Sequence, residues 1–316
     1  MLHWYIGEMR QLRNDSLINK MPISLPRRNR RKLRMNNKPL IVMWGSPFSG
    51  KTIATVKLAQ ALAARRKNVL VIFSDALCPS VASIVPQQVS EQQSLGELLS
   101  LPALAQEDLL RYSLALKGSP HLAFLGYKKG DHLFSYADYS RERAVDLLTL
   151  ARHTADVVLV DCASYVSAYL LSTVALELAD TVFRFHTCDL KSMMFYASYL
   201  PLLSDARFKH AETIPILSNV KPGQDSRTYS QVVGGIRFLL PHVAELEQQA
   251  LEARLMDSLP SGKDATAYQE GISHMMGLIV SEDTQKPHQR SVSAANKASI
   301  VRWFKGQLWS WRGGRK

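Results

Sequence analysis

Six residues suited to a buried strand, Pro39 to Trp44 (PLIVMW), run directly into GSPFSGKT, Gly45 to Thr52. A stretch with Ala, Leu and Val at helical spacing, Thr52 to Arg66, follows at once. No other feature of the chain restricts its fold so tightly. The eight residues match G-x-x-x-x-G-K-[ST] in full, and the context of strand before and helix after is the one this pattern requires. The pattern has a physical basis. Such a loop wraps a phosphate closely, so glycines at its ends leave room for the anion. Backbone N–H groups and the positive end of the following helix then face the negative charge. On this reading Gly45, Ser46, Pro47, Ser49, Gly50, Lys51 and Thr52 are expected to line the phosphates. Lys51 would bridge the β- and γ-phosphates, and the Thr52 hydroxyl would coordinate Mg²⁺.

The rest of the chain repeats the strand–helix theme. Val69 to Phe73, Leu122 to Leu125, Val157 to Val160, Thr181 to His186 and Ile214 to Ser218 read as strands. Helical stretches lie between them, among them Arg141 to His153, Ser167 to Glu177 and Leu190 to Leu203. Continuous β-branched runs alternating with helices predict a doubly wound α/β fold, a mostly parallel sheet covered on both faces. At 316 residues and 46% hydrophobic content, the chain is long enough to bury such a core.

Two acids and one amide stand where strands end. Asp161 closes VVLVD, and a carboxylate at the tip of a strand beside the loop would hold Mg²⁺ through water. Asp75 follows VLVIFS and would orient a metal or an attacking water. Lys51, Asp75 and Asp161 are thus the candidate catalytic residues. Asn219 follows IPILS and offers an amide to a base edge. The guanine signature N-K-x-D is absent, since Val220 stands where its lysine belongs, and this favours ATP over GTP.

This set of residues resembles the MinD/ParA family of P-loop ATPases, in the SIMIBI class. The resemblance covers about residues 39–280. After the loop come VLVIFSDALCP and LAFLGYKKG, and then ADVVLVDCAS, ELADTVFRF and ILSN, each at the family's place for a strand with its functional tip. VVGGIRFLLPH stands where the family carries its segment after the last strand. The resemblance implies a homodimer that hydrolyses ATP with Mg²⁺, with Asp75 as the residue that positions water, Asp161 as the metal-side acid and Asn219 as the adenine reader. Four positions depart from the family pattern. Ser46 replaces the signature lysine that reaches the partner's nucleotide, Pro47 and Phe48 replace glycines, and Phe73 replaces an acid. These departures lead us to expect a weak ATPase. They also resemble the pilus-localising TadZ/CpaE-like branch, in which the chain would be a scaffold that binds ATP without turning it over. An enzyme on the same fold, such as a small-molecule or bacterial tyrosine kinase, is a further alternative. A tyrosine kinase of this kind usually carries a C-terminal tyrosine cluster, and no Tyr follows Tyr268.

The net charge of +12 resides at the ends. Residues 1–38 hold ten Lys/Arg against two acids, and residues 286–316 hold eight Lys/Arg against none, so the body between them is mildly acidic. Residues 1–38 are expected to be a disordered basic extension, 39–280 the ATPase domain, 281–299 a polar linker and 300–316 a tail helix. On that helix Ile300, Val301, Trp303, Phe304, Leu308 and Trp311 share one arc, with Arg302, Lys305 and Arg312 opposite. Tryptophans beside cations suit an anionic bilayer surface, and the tail also resembles the membrane-targeting tail of MinD proteins. DNA is the alternative acidic partner. The three cysteines, Cys78, Cys162 and Cys188, form no C-x-x-C and are expected to be buried or half-buried thiols in a reducing cytoplasm. The expected location is therefore cytoplasmic, on the inner face of the cell membrane, with a protein cargo that the residues do not specify.

Overall fold

The computed structural model of the chain describes residues 38–86, 88 and 93–284. The chain opens with β1 (Leu40–Gly45), α1 (Lys51–Ala64), β2 (Val69–Phe73), α2 (Val81–Ile84), α3 (Leu95–Ser100) and α4 (Gln106–Tyr112). It continues with β3 (Leu114–Ala115), β4 (Leu122–Gly126), α5 (Arg141–Thr154), β5 (Val157–Asp161), α6 (Leu170–Leu178) and β6 (Thr181–His186). The last third comprises α7 (Leu190–Leu203), β7 (Ile214–Val220), α8 (Ser226–Val232), β8 (Phe238–Pro241), α9 (Ala244–Leu251) and α10 (Lys263–Thr284). These strands form one eight-stranded sheet in the order β3-β4-β2-β5-β1-β6-β7-β8. All pairs are parallel except β3 with β4.

The apolar runs are continuous because both faces of the sheet are buried. Leu40, Val42 and Trp44 of β1 point to a core shared with α3 to α7, while Ile41 and Met43 point to a second core shared with α1, α2, α9 and α10. β2 and β5 alternate in the same way. Helix α1 is fastened on its inner side by Lys57, which donates to the carbonyls of Leu255 and Asp257, each at 2.7 Å, and to Gln249 Oε1 at 3.0 Å. Burial lowers its ammonium to about 8, against the pull of Asp257.

Four readings of the sequence are corrected. Two strands go unseen in the pattern: β3, two residues long and held only by its pairing with β4, and β8, four residues at the sheet edge beside Gly234 and Gly235. The helix expected from Ser167 begins at Leu170, because a short 3₁₀ turn over Val166–Ala168 precedes it and Tyr169 is extended. The first residues of the linker expected from Ser281 are helical, since α10 continues to Thr284, and the rest of it lies outside the described residues; a helix already formed propagates through polar residues. Cys78 is exposed, whereas Cys162 and Cys188 are buried. The basic N-terminal extension lies outside the described residues except for Lys38, whose amine sits 3.8 Å from Asp156. The tail residues Trp303, Phe304, Leu308 and Trp311 lie wholly outside them. Among the described residues no helix is long and apolar enough to cross a membrane.

Candidate functional site

The sheet order reverses at β1. The chain leaves β1 for β2 on one side, and β6 later returns on the other, so the loops after β1, β5 and β6 part at the carboxyl edge of the strands. Open α/β sheets bind ligands at such a switch point. A cavity of about 600 Å³ opens there, within the range of small-molecule sites. Its walls carry Ser49, Lys51 and Thr52 of the loop, Asp75 after β2, Asp161 at the end of β5 and Asn219 at the end of β7. The structure thus brings together the candidate residues from four separate strands.

Each is placed by a traceable local cause. Asp161 is in register with Met43 of β1 on one side and Phe73 of β2 on the other. That pairing sets its carboxylate against the first turn of α1, where the Thr52 hydroxyl donates to Asp161 Oδ2 at 2.6 Å. Lys51 Nζ donates to the Ser164 hydroxyl at 2.8 Å. Asp75 lies two residues past β2, and its Oδ1 accepts from the amides of Leu77 at 2.9 Å and Cys78 at 3.2 Å, which folds this loop toward Asp161. Gly50, at φ +75°, is the N-cap of α1 and supplies no side-chain cap, so the helix start is left open to an anion. Phe48 also adopts the left-handed region at φ +58° and is 91% exposed. A bulky residue in that region carries local strain of a kind that gathers at functional sites.

Two of the residues expected to line the phosphates stand outside the cavity wall. Neither Gly45 nor Ser46 lines the cavity. A Cβ on Gly45 would stand 2.1 Å from the Phe185 carbonyl oxygen, so this glycine is required by the close approach of β1 and β6. Ser46 donates its backbone N–H to Phe185 O at 3.3 Å and shares a hydrogen bond with the Ser192 hydroxyl at 2.8 Å, on the α7 side of the loop. Its backbone N–H and its hydroxyl oxygen are therefore both engaged within the chain. Sequence reasoning also passed over Ser164, Ser218, His242 and Tyr268, all in the cavity wall. Ser218 closes a predicted strand and Ser164 lies three residues past Asp161, which was the available signal; Tyr268 arrives from α10 through tertiary packing alone.

The electrostatics suit a cation held between carboxylate and phosphate. Burial pushes the Asp161 carboxyl up to about 6, against the pull of Lys51 and the Thr52 hydrogen bond, and Asp75 adds to the rise. Asp161 Oδ1 and Ser49 Oγ are buried without a hydrogen-bond partner. An orphaned carboxylate oxygen beside a threonine hydroxyl fits a Mg²⁺ that keeps several waters and takes its remaining ligands from phosphates. Among the described residues no group of three or more His, Cys, Asp or Glu side chains that could hold a metal ion occurs.

The raised Asp161 carboxyl has a measurable consequence. Between about pH 4 and 6 the folded chain holds a proton that the unfolded chain has released, so stability falls as pH rises through that window and is level above it. Asp161→Asn removes this penalty. Without ligand, the variant should exceed wild type at pH 7.5 by at most about 3 kcal/mol, with the advantage gone near pH 4. Denaturant unfolding at the two pH values checks this.

Fold and site together define a doubly wound α/β protein with a P-loop sequence at its switch point. Comparison with known proteins sharpens this. A family model described as "Chromatin associated protein KTI12" matches residues 38–101, which hold β1, the loop, α1 and β2. No curated protein sequence matches the chain significantly. Solved structures do. A ParA family ATPase from Chlorobium tepidum TLS superposes with a TM-score of 0.63 at 16% identity, covering 76% of this chain and 99% of that one. The septum site-determining protein MinD of Pyrococcus horikoshii OT3, complexed with Mg-ADP, gives 0.59 at 16% identity over 75% and 96%. A putative plasmid partition protein from Borrelia burgdorferi B31 bound to AMPPNP gives 0.59 at 16% identity over 78% and 100%. The chain has the fold of the MinD/ParA-type P-loop ATPases.

Proposed function

We propose that this chain binds ATP with Mg²⁺ at the Gly50–Thr52 end of the loop and acts as a nucleotide-dependent positioning switch on an anionic membrane surface. The observation that carries the nucleotide part is the convergence of Lys51, Thr52, Asp161 and Asp75 on one cavity at the sheet's switch point, with Asp161 Oδ1 left without a partner. Relatives of the same fold hold Mg-ADP and AMPPNP, which supports the same ligand class here. Lys51 would leave Ser164 for the phosphates. Thr52 and Asp161 would hold the metal, whose charge offsets that of the phosphates. Asp75 would orient the attacking water. Turnover is expected to be weak, because no lysine occupies position 46 and the serine there is tied to Ser192.

The switch reading entails self-association. Phe48, Leu77 and Tyr165 are large apolar side chains of the cavity wall that are left exposed, and Leu170, Leu190 and Met194 are further exposed apolar side chains on the helices after β5 and β6. An apolar rim of this kind marks an interaction surface, and a second copy would meet it with an identical one. Two copies would also supply two basic amphipathic tails, which one weak anchor needs for stable attachment. The second reading, a scaffold of the TadZ/CpaE-like kind that binds ATP without hydrolysing it, is favoured by Phe48 and Ser46 in place of the family's glycine and lysine. DNA partitioning, the third, draws on the basic ends alone.

Sedimentation with anionic vesicles and with duplex DNA separates these. The full chain with ATP should pellet with vesicles, and a chain lacking residues 300–316 should lose at least about tenfold in vesicle affinity. Equal pelleting of both chains, or pelleting with DNA only, would overturn the membrane reading.

A further inference from the structure

The base end of the cavity contains a pairing that none of the functional assignments above uses. Asn219 sits where β7 and β8 slip register, between Leu217 and Val220, and its backbone is left-handed at φ +55°. Asparagine is among the few non-glycine residues that accept this conformation, and an irregular strand end re-aims a side chain. The re-aimed carboxamide does not stand alone. Asn219 Oδ1 lies 2.8 Å from His242 Nδ1. A carboxamide oxygen only accepts, so Nδ1 carries the proton and donates. His242 is itself fixed, since its backbone N–H donates to Val220 O at 2.9 Å. Both side chains line the cavity.

An unpinned carboxamide can rotate by half a turn and exchange its donor and acceptor ends at little cost. The histidine removes that freedom. With one Oδ1 lone pair held by His242, the amide keeps one acceptor site on Oδ1 and its N–H donors in a fixed order. That donor–acceptor pair matches the N7 acceptor and N6 donor of adenine, whereas guanine presents two acceptors, N7 and O6, on the same edge.

We propose that His242 is the positioning residue that sets purine selectivity, by holding the Asn219 carboxamide in its adenine-reading orientation. The inference rests on the ATP reading of the site and adds a residue that does not touch the phosphates.

Calorimetric titration of the full chain with ATP, GTP and tripolyphosphate, all with Mg²⁺, tests it. Tripolyphosphate reports the phosphate end without a base. Wild type should bind ATP at least about tenfold more tightly than GTP. His242→Phe should lose most of that ratio while binding tripolyphosphate within about twofold of wild type. Asn219→Ala should show the same loss, and the double variant should add nothing to it, because the histidine acts only through the asparagine. His242→Gln, which keeps a donor, should recover part of the ratio. A His242→Phe protein with the wild-type ATP-to-GTP ratio would overturn the role of His242 alone, as would losses that add in the double variant. A His242→Phe protein whose tripolyphosphate affinity falls along with ATP would overturn it as well. Wild-type protein that binds none of the three would instead overturn the nucleotide site and this inference with it.

Discussion

Gly45→Ala should unfold this protein more readily than any other single methyl added to the loop. The new Cβ would lie 2.1 Å from the Phe185 carbonyl oxygen and 2.8 Å from both the Phe185 carbonyl carbon and its Cβ. These atoms belong to the neighbouring strand, paired with β1 in register at Gly45↔Phe185. Neither strand can yield cheaply, because the sheet is buried on both faces. Overpacking a well-packed core costs about 1–3 kcal/mol, and backbone against backbone places this case at about 3 kcal/mol. For a domain of this size the melting temperature should fall by about 6–12 °C. Gly50→Ala makes the contrast. Its nearest obstacle is the Ser218 hydroxyl at 3.2 Å, so the cost is the left-handed backbone, about 1–2 kcal/mol. Thermal melts of the two variants side by side check the order; equal melting temperatures would contradict it.

Lys51→Ala should have the largest effect on ligand binding with little effect on the fold. The Lys51 ammonium donates to the Ser164 hydroxyl and stands half-buried at the start of α1. Its removal should change stability by no more than about 1 kcal/mol. Hydrogen bonds from a charged donor contribute about 1.5–3 kcal/mol each. With two phosphates to bridge, the loss is about 3 kcal/mol or more, a weakening of at least about 100-fold in Kd. Loss of the cation also removes the influence that holds the Asp161 carboxyl down, so that acid should titrate higher still.

The central part of the sheet was legible because its strands are buried on both faces. Val69–Phe73 and Thr181–His186 read as unbroken β-rich runs, and the helix Leu190–Leu203 is bounded by Asp189, whose carboxylate caps the Ser192 amide. Asp161 and Asn219 could be found because each closes such a run. What stayed hidden depends on contacts between distant segments. β3 exists only through Leu114↔Phe124 and Ala115↔Ala123. The spacing of Gly45 predicts a glycine correctly, but the atoms that exclude a side chain there come from Phe185, 140 positions downstream, and not from a ligand. Ser46 reads as a loop residue facing phosphate until α7 brings Ser192 beneath it. The same holds for His242, whose meaning arises only when β8 lies beside β7.

One measurement bears most directly on the claim that Lys51, Thr52 and Asp161 form a Mg²⁺–nucleotide triphosphate site. The full-length chain and its Lys51→Ala variant are titrated with ATP in the calorimeter, with and without Mg²⁺. Wild type should show saturable binding that tightens when Mg²⁺ is present, and Lys51→Ala should weaken it at least about 100-fold while melting within a few degrees of wild type. Absence of saturable binding to the wild type, or equal affinity in the two proteins, would contradict the assignment.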